Sequence, residues 1–581
     1  SGDLTFTRAS TATRVNAEGL IEESPVNLLQ QSEQFDNAAW TKQNSTITAN
    51  AITAPNGTLA ADKLIENTTT SRHTIFSTLN GNYTKIYTCS VFVKKAERKY
   101  ISLSLLTSGL TSNFRAIFDV ESGIVTDSYA DTANGATIST SVSDFGDGWY
   151  RCAIIGTLSN SGSGDFFLQT SLSDRATYSG GTLDSIYPSY TGNGTSGIYL
   201  YGAQLNIGAT AKPYFPTTDR LNVPRIDYTG GGCGKLLLEP QTTALNTNSE
   251  NAAGWSAVGA TVTSNQTTAP DGYNGADLIS YSAAGARIEQ NVVFTATSAT
   301  LSLFVKSNSG NGASINIRNN TTATNLATAT FTGSTFTPSS GGQTIDYGNG
   351  WYRISVSATS GITSGNTIRG TIYTDEAFGS TASSVFVWGM NLTNTSYLQS
   401  YIPTTSTAVT RLADACSKTG ISSLINSTEG VLYAEISALA DDGTNRVIAL
   451  SNGTNNERIY LSFSSSSQIK CLVTVGGITQ SDLRSNVENT ALNKIAFKYK
   501  VNDFALWVNG VEIATDISGN SPIGLSQLSF DDGSGGNNFY GNTQSLMIFP
   551  SALTDNQLAD LTGGNKTTFN ALAEFYGYQI L

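Results

Sequence analysis

Residues 197–219 read GIYLYGAQLNIGATAKPYFPTTD, and residues 385–405 read VFVWGMNLTNTSYLQSYIPTT. In each, an alternating apolar run (Ile198 and Leu200, then Val385 and Val387) meets an aromatic–glycine pair, Tyr201-Gly202 and Trp388-Gly389. Each closes on one pattern, Tyr214-Phe215-Pro216-Thr217-Thr218 and Tyr401-Ile402-Pro403-Thr404-Thr405. Period-two alternation marks a strand with a buried face, and Gly or Pro inside it predicts where the strand leaves its sheet. Two copies of one such signal predict two copies of one β-domain.

Outward from these strands the same landmarks recur in the same order. The first copy, over residues 27–218, carries Ser32-Glu33 leading to Trp40, Ala54-Pro55-Asn56-Gly57 leading to Asp62, Ser90-Val91-Phe92-Val93-Lys94, and Gly148-Trp149-Tyr150-Arg151. The second, over 244–405, carries Ser249-Glu250 leading to Trp255, Ala269-Pro270-Asp271-Gly272 leading to Asp277, Ser302-Leu303-Phe304-Val305-Lys306, and Gly350-Trp351-Tyr352-Arg353. Short strands parted by Gly, Asn and Ser turns predict an antiparallel sandwich of jelly-roll course.

Composition agrees. The 581 residues exceed one core, so roughly three or four domains are expected. Charged residues make up 13%, about half the usual share. The 56 glycines, with abundant Ser, Thr and Asn, describe an all-β chain rich in turns. A net charge of −12 disfavours a nucleic-acid partner or an anionic membrane surface. No apolar run approaches the about 18 residues that span a bilayer. The chain opens on Ser1-Gly2 and is expected to be a fragment or a processed form.

Around the repeats lie smaller pieces. Residues 1–26 predict a hairpin turning near Asn16–Gly19, and residues 219–243 predict another turning at Gly230-Gly231-Gly232. The two are expected to pair as one small sheet, with the first repeat inserted between them. A connector over 406–429 precedes a third sandwich over 430–562. There Leu506-Trp507-Val508-Asn509-Gly510-Val511 predicts a hairpin whose Asn-Gly supplies both positive-φ residues. Thr554 caps a short helix with its leucines at helical spacing. The tail 563–581, with Phe575, Tyr576 and Tyr578, is expected to pack against the domain.

Several strings resemble phage virion proteins of the tail-fibre and head-fibre type. They are Phe6-Thr7-Arg8-Ala9-Ser10-Thr11, Val223-Pro224-Arg225-Ile226-Asp227-Tyr228, Leu236-Leu237-Leu238-Glu239-Pro240-Gln241, Tyr201-Gly202-Ala203-Gln204-Leu205 and Tyr401-Ile402-Pro403-Thr404-Thr405-Ser406. The resemblance implies carbohydrate-binding-module-like jelly rolls behind a leader hairpin that, in relatives, runs straight into the Pro-Arg-Ile-Asp-Tyr hairpin. Residues 430–562 resemble a laminin-G or concanavalin-like lectin sandwich. The fold class is therefore all-β, as tandem antiparallel β-sandwiches: two jelly-roll-like repeats plus a concanavalin/laminin-G-like sandwich.

The residues offer little for catalysis. His73 is the only histidine, and its counterpart is Ile288, so His-dependent nucleophilic or metal chemistry is disfavoured. A glycosidase needs only two carboxylates at a set separation, but the Glu-x-Asp-x-x-Glu strand of concanavalin-like glucanases is absent from residues 430–549. The chain is thus read as a non-enzyme, with a polysaccharide depolymerase left as an alternative. Cys89 and Cys152 align with Leu301 and Ile354, which predicts buried thiols acting as small hydrophobes; a Cys89–Cys152 disulfide is the other reading.

Oxygen-bearing side chains at Asp531, Asp532, Asn537 and Asn538 suit a structural calcium ion, or equally a turn. Jelly rolls of the resembled kind hold an ion with an acid near the last strand, where this chain has Gly202 and Gly389. Sugar rings stack on aromatic faces, so the candidates are Tyr178, Tyr187 and Tyr190 in a loop longer than its equivalent near Phe378, with Trp388 of the second repeat. The resulting expectation is a phage fibre protein on the virion surface. It would be trimeric, in contact with other virion proteins, and attach to host or environmental polysaccharide. A capsid decoration or spacer without a ligand is the alternative.

Overall fold

In the computed structural model, residues 4–24, 27–109, 111–159, 162–178, 188–218, 223–309, 312–332, 335–338, 341–465 and 467–564 are described. The chain divides into two compact units, residues 24–221 and residues 1–23 with 222–581.

The 24–221 unit is a sandwich of two six-stranded antiparallel sheets. One sheet runs Thr41–Gln43, Thr74–Asn82, Ser163–Ser173, Tyr100–Thr107, Asn113–Asp119, Ile124–Ala130 in hydrogen-bonded order. The other runs Ser45–Thr53, Leu59–Glu66, Gly197–Ile207, Tyr87–Lys95, Trp149–Gly156, Ser139–Asp144. The second repeat has the same order strand for strand. Its first sheet is Ser256–Val258, Arg287–Val293, Thr367–Tyr373, Ala313–Asn319, Thr324–Phe331, Phe336–Pro338. Its second is Ala260–Thr268, Asn274–Tyr281, Ser384–Thr393, Ala299–Ser309, Trp351–Ala358, Gln343–Gly348. Alternate residues of each strand fill the cores; Phe114, Ala116 and Phe118 point inward in the first copy, Ile315 and Ile317 in the second. Cys89 and Cys152 are free thiols in the first core, as their alignment with Leu301 and Ile354 predicts.

The aromatic–glycine pair does not end its strand. Gly202 and Gly389 lie inside Gly197–Ile207 and Ser384–Thr393, beside register shifts between Tyr201 and Gln204 and opposite Ser302–Phe304. Both are β-bulges at positive φ, +58° and +61°. A Cβ at Gly202 would lie 2.9 Å from the Tyr214 ring, and one at Gly389 would lie 2.8 Å from the Phe304 ring. The bulge opens a seat against which the closing tyrosine packs: Tyr401 stacks 4.9 Å from Trp388, and Tyr214 lies 5.8 Å from Tyr201. The motif is thus one device, in which the tyrosine of the Tyr-x-Pro-Thr-Thr closure covers the glycine of the bulge.

The third sandwich is assembled from separated pieces. One seven-stranded sheet runs Thr5–Thr7, Ala415–Thr419, Gln527–Ser529, Arg446–Ser451, Arg458–Ser465, Gln468–Val475, Ile478–Asn486. The other runs Arg225–Asp227, Lys235–Leu238, Gly541–Phe549, Glu429–Ala438, Asn493–Lys500, Phe504–Val508, Val511–Asp516. The hairpins of residues 1–26 and 219–243 touch through Tyr228 N–H on the Val15 carbonyl but do not form one small sheet. Residues 5–7 and the Arg225–Asp227/Lys235–Leu238 hairpin extend opposite sheets of this sandwich, and Ala12–Val15 and Ile21–Ser24 pair with each other as a separate two-stranded sheet. The physical reason is that strands of three or four residues bury their apolar positions better on an existing core, where Phe6 and Leu238 sit. Asn509 and Gly510 turn the predicted hairpin with φ of +50° and +90°. Helix Asp555–Gly563 starts on a Thr554–Gln557 capping box. The tail beyond residue 564 lies outside the described residues.

Five charged side chains, each no more than 2% exposed, tie these pieces together. Arg8 donates to Asp414 Oδ1 at 2.9 Å, and Arg225 bridges Asp414 and Glu239. Arg411 pairs with the same Glu239 oxygen, Oε2, as Arg225 does. Ser400 donates to Glu239 from its backbone N–H at 2.7 Å and its hydroxyl at 2.6 Å. Burial by itself would raise the Glu239 carboxyl, but Arg411, Arg225 and Ser400 override it and hold it at about 2. The arginines of the Phe-Thr-Arg and Pro-Arg-Ile-Asp strings are thus internal ties.

Candidate functional site

The structure separates the predicted aromatic residues. Trp388 is 2% exposed, set 5.4 Å from Phe304 and 4.9 Å from Tyr401, so no indole face is open to a sugar ring. Its expected place at a binding surface is corrected to the core, because the bulge at Gly389 turns it under Tyr401. Tyr190 is also buried. Its hydroxyl donates to Glu66 at 2.6 Å, its ring lies 4.7 Å from that of His73, and the Arg98 guanidinium sits 5.0 Å above it. Arg98 grips Glu66 through two bonds of 2.7 and 2.9 Å, and Asn193 N–H adds a third donor. Burial alone would raise the Glu66 carboxyl, yet Arg98 and Tyr190 bring it below its usual value. Tyr190 is a staple, not a displayed rim residue. His73 is buried in the core, its two ring nitrogens 2.7 and 3.2 Å from the carbonyl oxygens of Asn44 and Tyr190, one of which accepts its N–H. Tyr187 lies outside the described residues.

The loop of Asp531 and Asp532 is built as a turn. Asp531 accepts from Gly533 N–H, and Asp532 accepts from Ser534 N–H, Ser534 hydroxyl, Gly536 N–H and the Asn537 amide nitrogen. The Asn537 amide nitrogen is turned toward Asp532, and the Asn538 backbone bridges to Val447. Both carboxylates are thus engaged by donors of their own loop, the arrangement of a turn. Among the described residues no group of three or more His, Cys, Asp or Glu side chains could hold a metal.

What the fold does bring together is a row of polar side chains on the outer face of one sheet in each jelly roll. Strand alternation sends them there, opposite the core positions. In the first copy, Arg115 pairs across the ladder with Ser104 and Tyr129, and Ser104 pairs with Gln169. The Arg115 guanidinium lies 4.1 Å from the Tyr129 ring and 4.7 Å from that of Tyr178. Tyr178, half-buried, shares a 2.8 Å hydrogen bond with Ser102 Oγ, and its backbone N–H donates to Asp127. Of the three predicted aromatics among the described residues, Tyr178 alone is placed on this face. Burial pushes its phenol up.

In the second copy the same strands carry different chemistry. Glu289, Thr371 and Asn316 form one cross-strand row, and Asn291, Arg369 and Arg318 the next. Arg287 and Arg369 flank Glu289 at 2.7 and 3.4 Å. All three side chains keep 14–22% exposure. Within the same rows, Thr371 Oγ1 and Arg369 Nε are buried without a hydrogen-bond partner in the protein. Such a face offers charged forks and unpaired donors at fixed positions on rigid strands, which is the equipment for holding hydroxyl and carboxylate oxygens. The signal available in the sequence was four charged residues, Arg287, Glu289, Arg318 and Arg369, within strands of a chain poor in charge. A search for loop aromatics passes over it.

No family model and no curated protein matches the chain. Among solved structures, it is similar to the CBM40 module of the Ruminococcus gnavus IT-sialidase bound to α2,3-sialyllactose, at 17% identity and a TM-score of 0.22, over 25% of this chain and 86% of that one. It is similar to the CBM22-1–CBM22-2 tandem of Paenibacillus barcinonensis Xyn10C, at 12% identity and a TM-score of 0.20, over 63% and 96% of the two chains. It is also similar to domains LG4-5 of the mouse laminin α1 chain, at 9% identity and a TM-score of 0.17, over 45% and 86%.

Proposed function

We propose that this chain is a non-enzymatic, carbohydrate-binding adhesion protein of a phage particle, with its principal glycan site on the outer face of the second jelly roll. The observation that carries the reading is the contrast between the two copies. Their cores match strand for strand, while the outer rows diverge from Ser104, Gln169 and Arg115 to Arg318, Arg369 and Asn325. Packing explains the kept interior; a surface that changes chemistry on a kept scaffold is the pattern of a recognition face. The leader strings that resemble phage fibres, woven into the third sandwich, favour a virion protein. Many copies per particle, as a homotrimeric fibre beside other virion proteins, would turn weak single sites into avidity for host or environmental polysaccharide.

The test is a glycan array probed with the full chain and with Arg369→Ala and Asn316→Ala. Removing a charged donor to a bound oxygen costs about 1.5–3 kcal/mol, so the arginine variant should lose at least about tenfold in affinity for the captured glycan. A folded protein silent across a broad array would favour the ligand-free spacer instead. Capture unchanged by both substitutions would move the site off this face.

A further inference from the structure

We propose that a second, separate site for a monosaccharide-sized sugar acid lies in a cavity of about 270 Å³ within the 1–23/222–581 unit. Its walls come from the leader hairpin, the 225–238 hairpin, the second jelly roll and the third sandwich, represented by Arg14, Asp227, Arg353 and Asn542. The volume sits just below the roughly 300 Å³ at the small end of ligand pockets, room for one pyranose ring.

The charges on the wall are not equivalent. Arg14 is paired with Glu22 at 2.7 Å, Asp227 accepts from the N–H groups of Val15 and Thr229, and Glu239 is held by Arg225 and Arg411. Arg353 is 4% exposed and its Nε has no partner. The duplication supplies an internal control. Arg151, at the same position of the first copy, places both Nε and Nη2 on Ser90 Oγ at 3.2 and 2.9 Å. Arg353 reaches the matching Ser302 only through Nη2, at 3.3 Å. The guanidinium that lines the cavity also bonds the Tyr347 side chain and, among the described residues, forms no ion pair, and a buried cation without a counter-charge is best completed by a carboxylate. The Tyr347 ring and the Gln343 amide on the same wall supply an apolar face and a partner for hydroxyls. The inference shares its ligand chemistry with the glycan-binding reading but none of its residues.

Saturation-transfer NMR and titration calorimetry on the full chain, with D-glucuronate and D-glucose as probes, decide it. The expected result is saturable glucuronate binding, at least tenfold tighter than glucose, reduced tenfold or more by Arg353→Lys and severalfold by Gln343→Leu. Gln343 is exposed, so its substitution keeps the test valid if the arginine variant fails to fold. Array capture by the outer face should be unchanged in Gln343→Leu. Absence of glucuronate binding in the folded chain, or binding indifferent to both substitutions, overturns the inference. Glucuronate binding in a chain silent on the array would support it and remove the outer-face reading alone.

Discussion

Glu239→Gln should destabilise the 1–23/222–581 unit and abolish part of its acid sensitivity. The carboxylate is 1% exposed and accepts from Arg225, Arg411 and both donors of Ser400. A carboxyl held at about 2 in place of 4.5 corresponds to about 3 kcal/mol. Deleting one partner of a buried pair independently gives about 3–5 kcal/mol. Neutralising Glu239 also leaves three buried guanidinium groups with Asp414 alone. Because the folded value lies below the unfolded one, the contribution is complete above pH 4.5 and is lost as pH falls toward 2. Urea unfolding, followed by hydrogen exchange on peptides from 223–243 and 399–419, should show a loss of about 3 kcal/mol at pH 7. The variant's stability should also fall less than the parent's between pH 5 and 2. Peptides from 27–218 serve as the unchanged reference. A loss below about 1 kcal/mol at pH 7, or an acid slope identical to the parent's, would refute the assignment of Glu239 as the central counter-charge.

Gly389→Ala should cost about 3 kcal/mol, combining a positive φ of +61° with a Cβ 2.8 Å from the Phe304 ring; a thermal melt within 1 °C of the parent's would show that the bulge relaxes freely. In the native chain one thiol, Cys233, should react with an aromatic disulfide reagent. Cys89, Cys152, Cys416 and Cys471 are buried, with thiols pushed up by burial, and should react only on unfolding. Fast labelling of more than one cysteine per chain would contradict the packing.

The sequence by itself determined what is local or repeated. The duplicated landmarks announced two copies of one sandwich, because strand alternation and the Gly, Pro and Asn of turns act over neighbouring residues. The Asn509-Gly510 hairpin, the Thr554 cap and the core placement of Cys89 and Cys152 followed from the same short-range rules. Tertiary structure alone decided whatever depends on partners far along the chain. Gly202 and Gly389 are bulges rather than exits because a tyrosine about a dozen residues onward fills the space above each. Residues 5–7 belong with 415–419, and Arg8 with Asp414, contacts that no local pattern encodes. The outer-face rows of the jelly rolls exist only once the ladders set their register, since Glu289, Thr371 and Asn316 lie on three strands distant in sequence and meet through backbone hydrogen bonds alone.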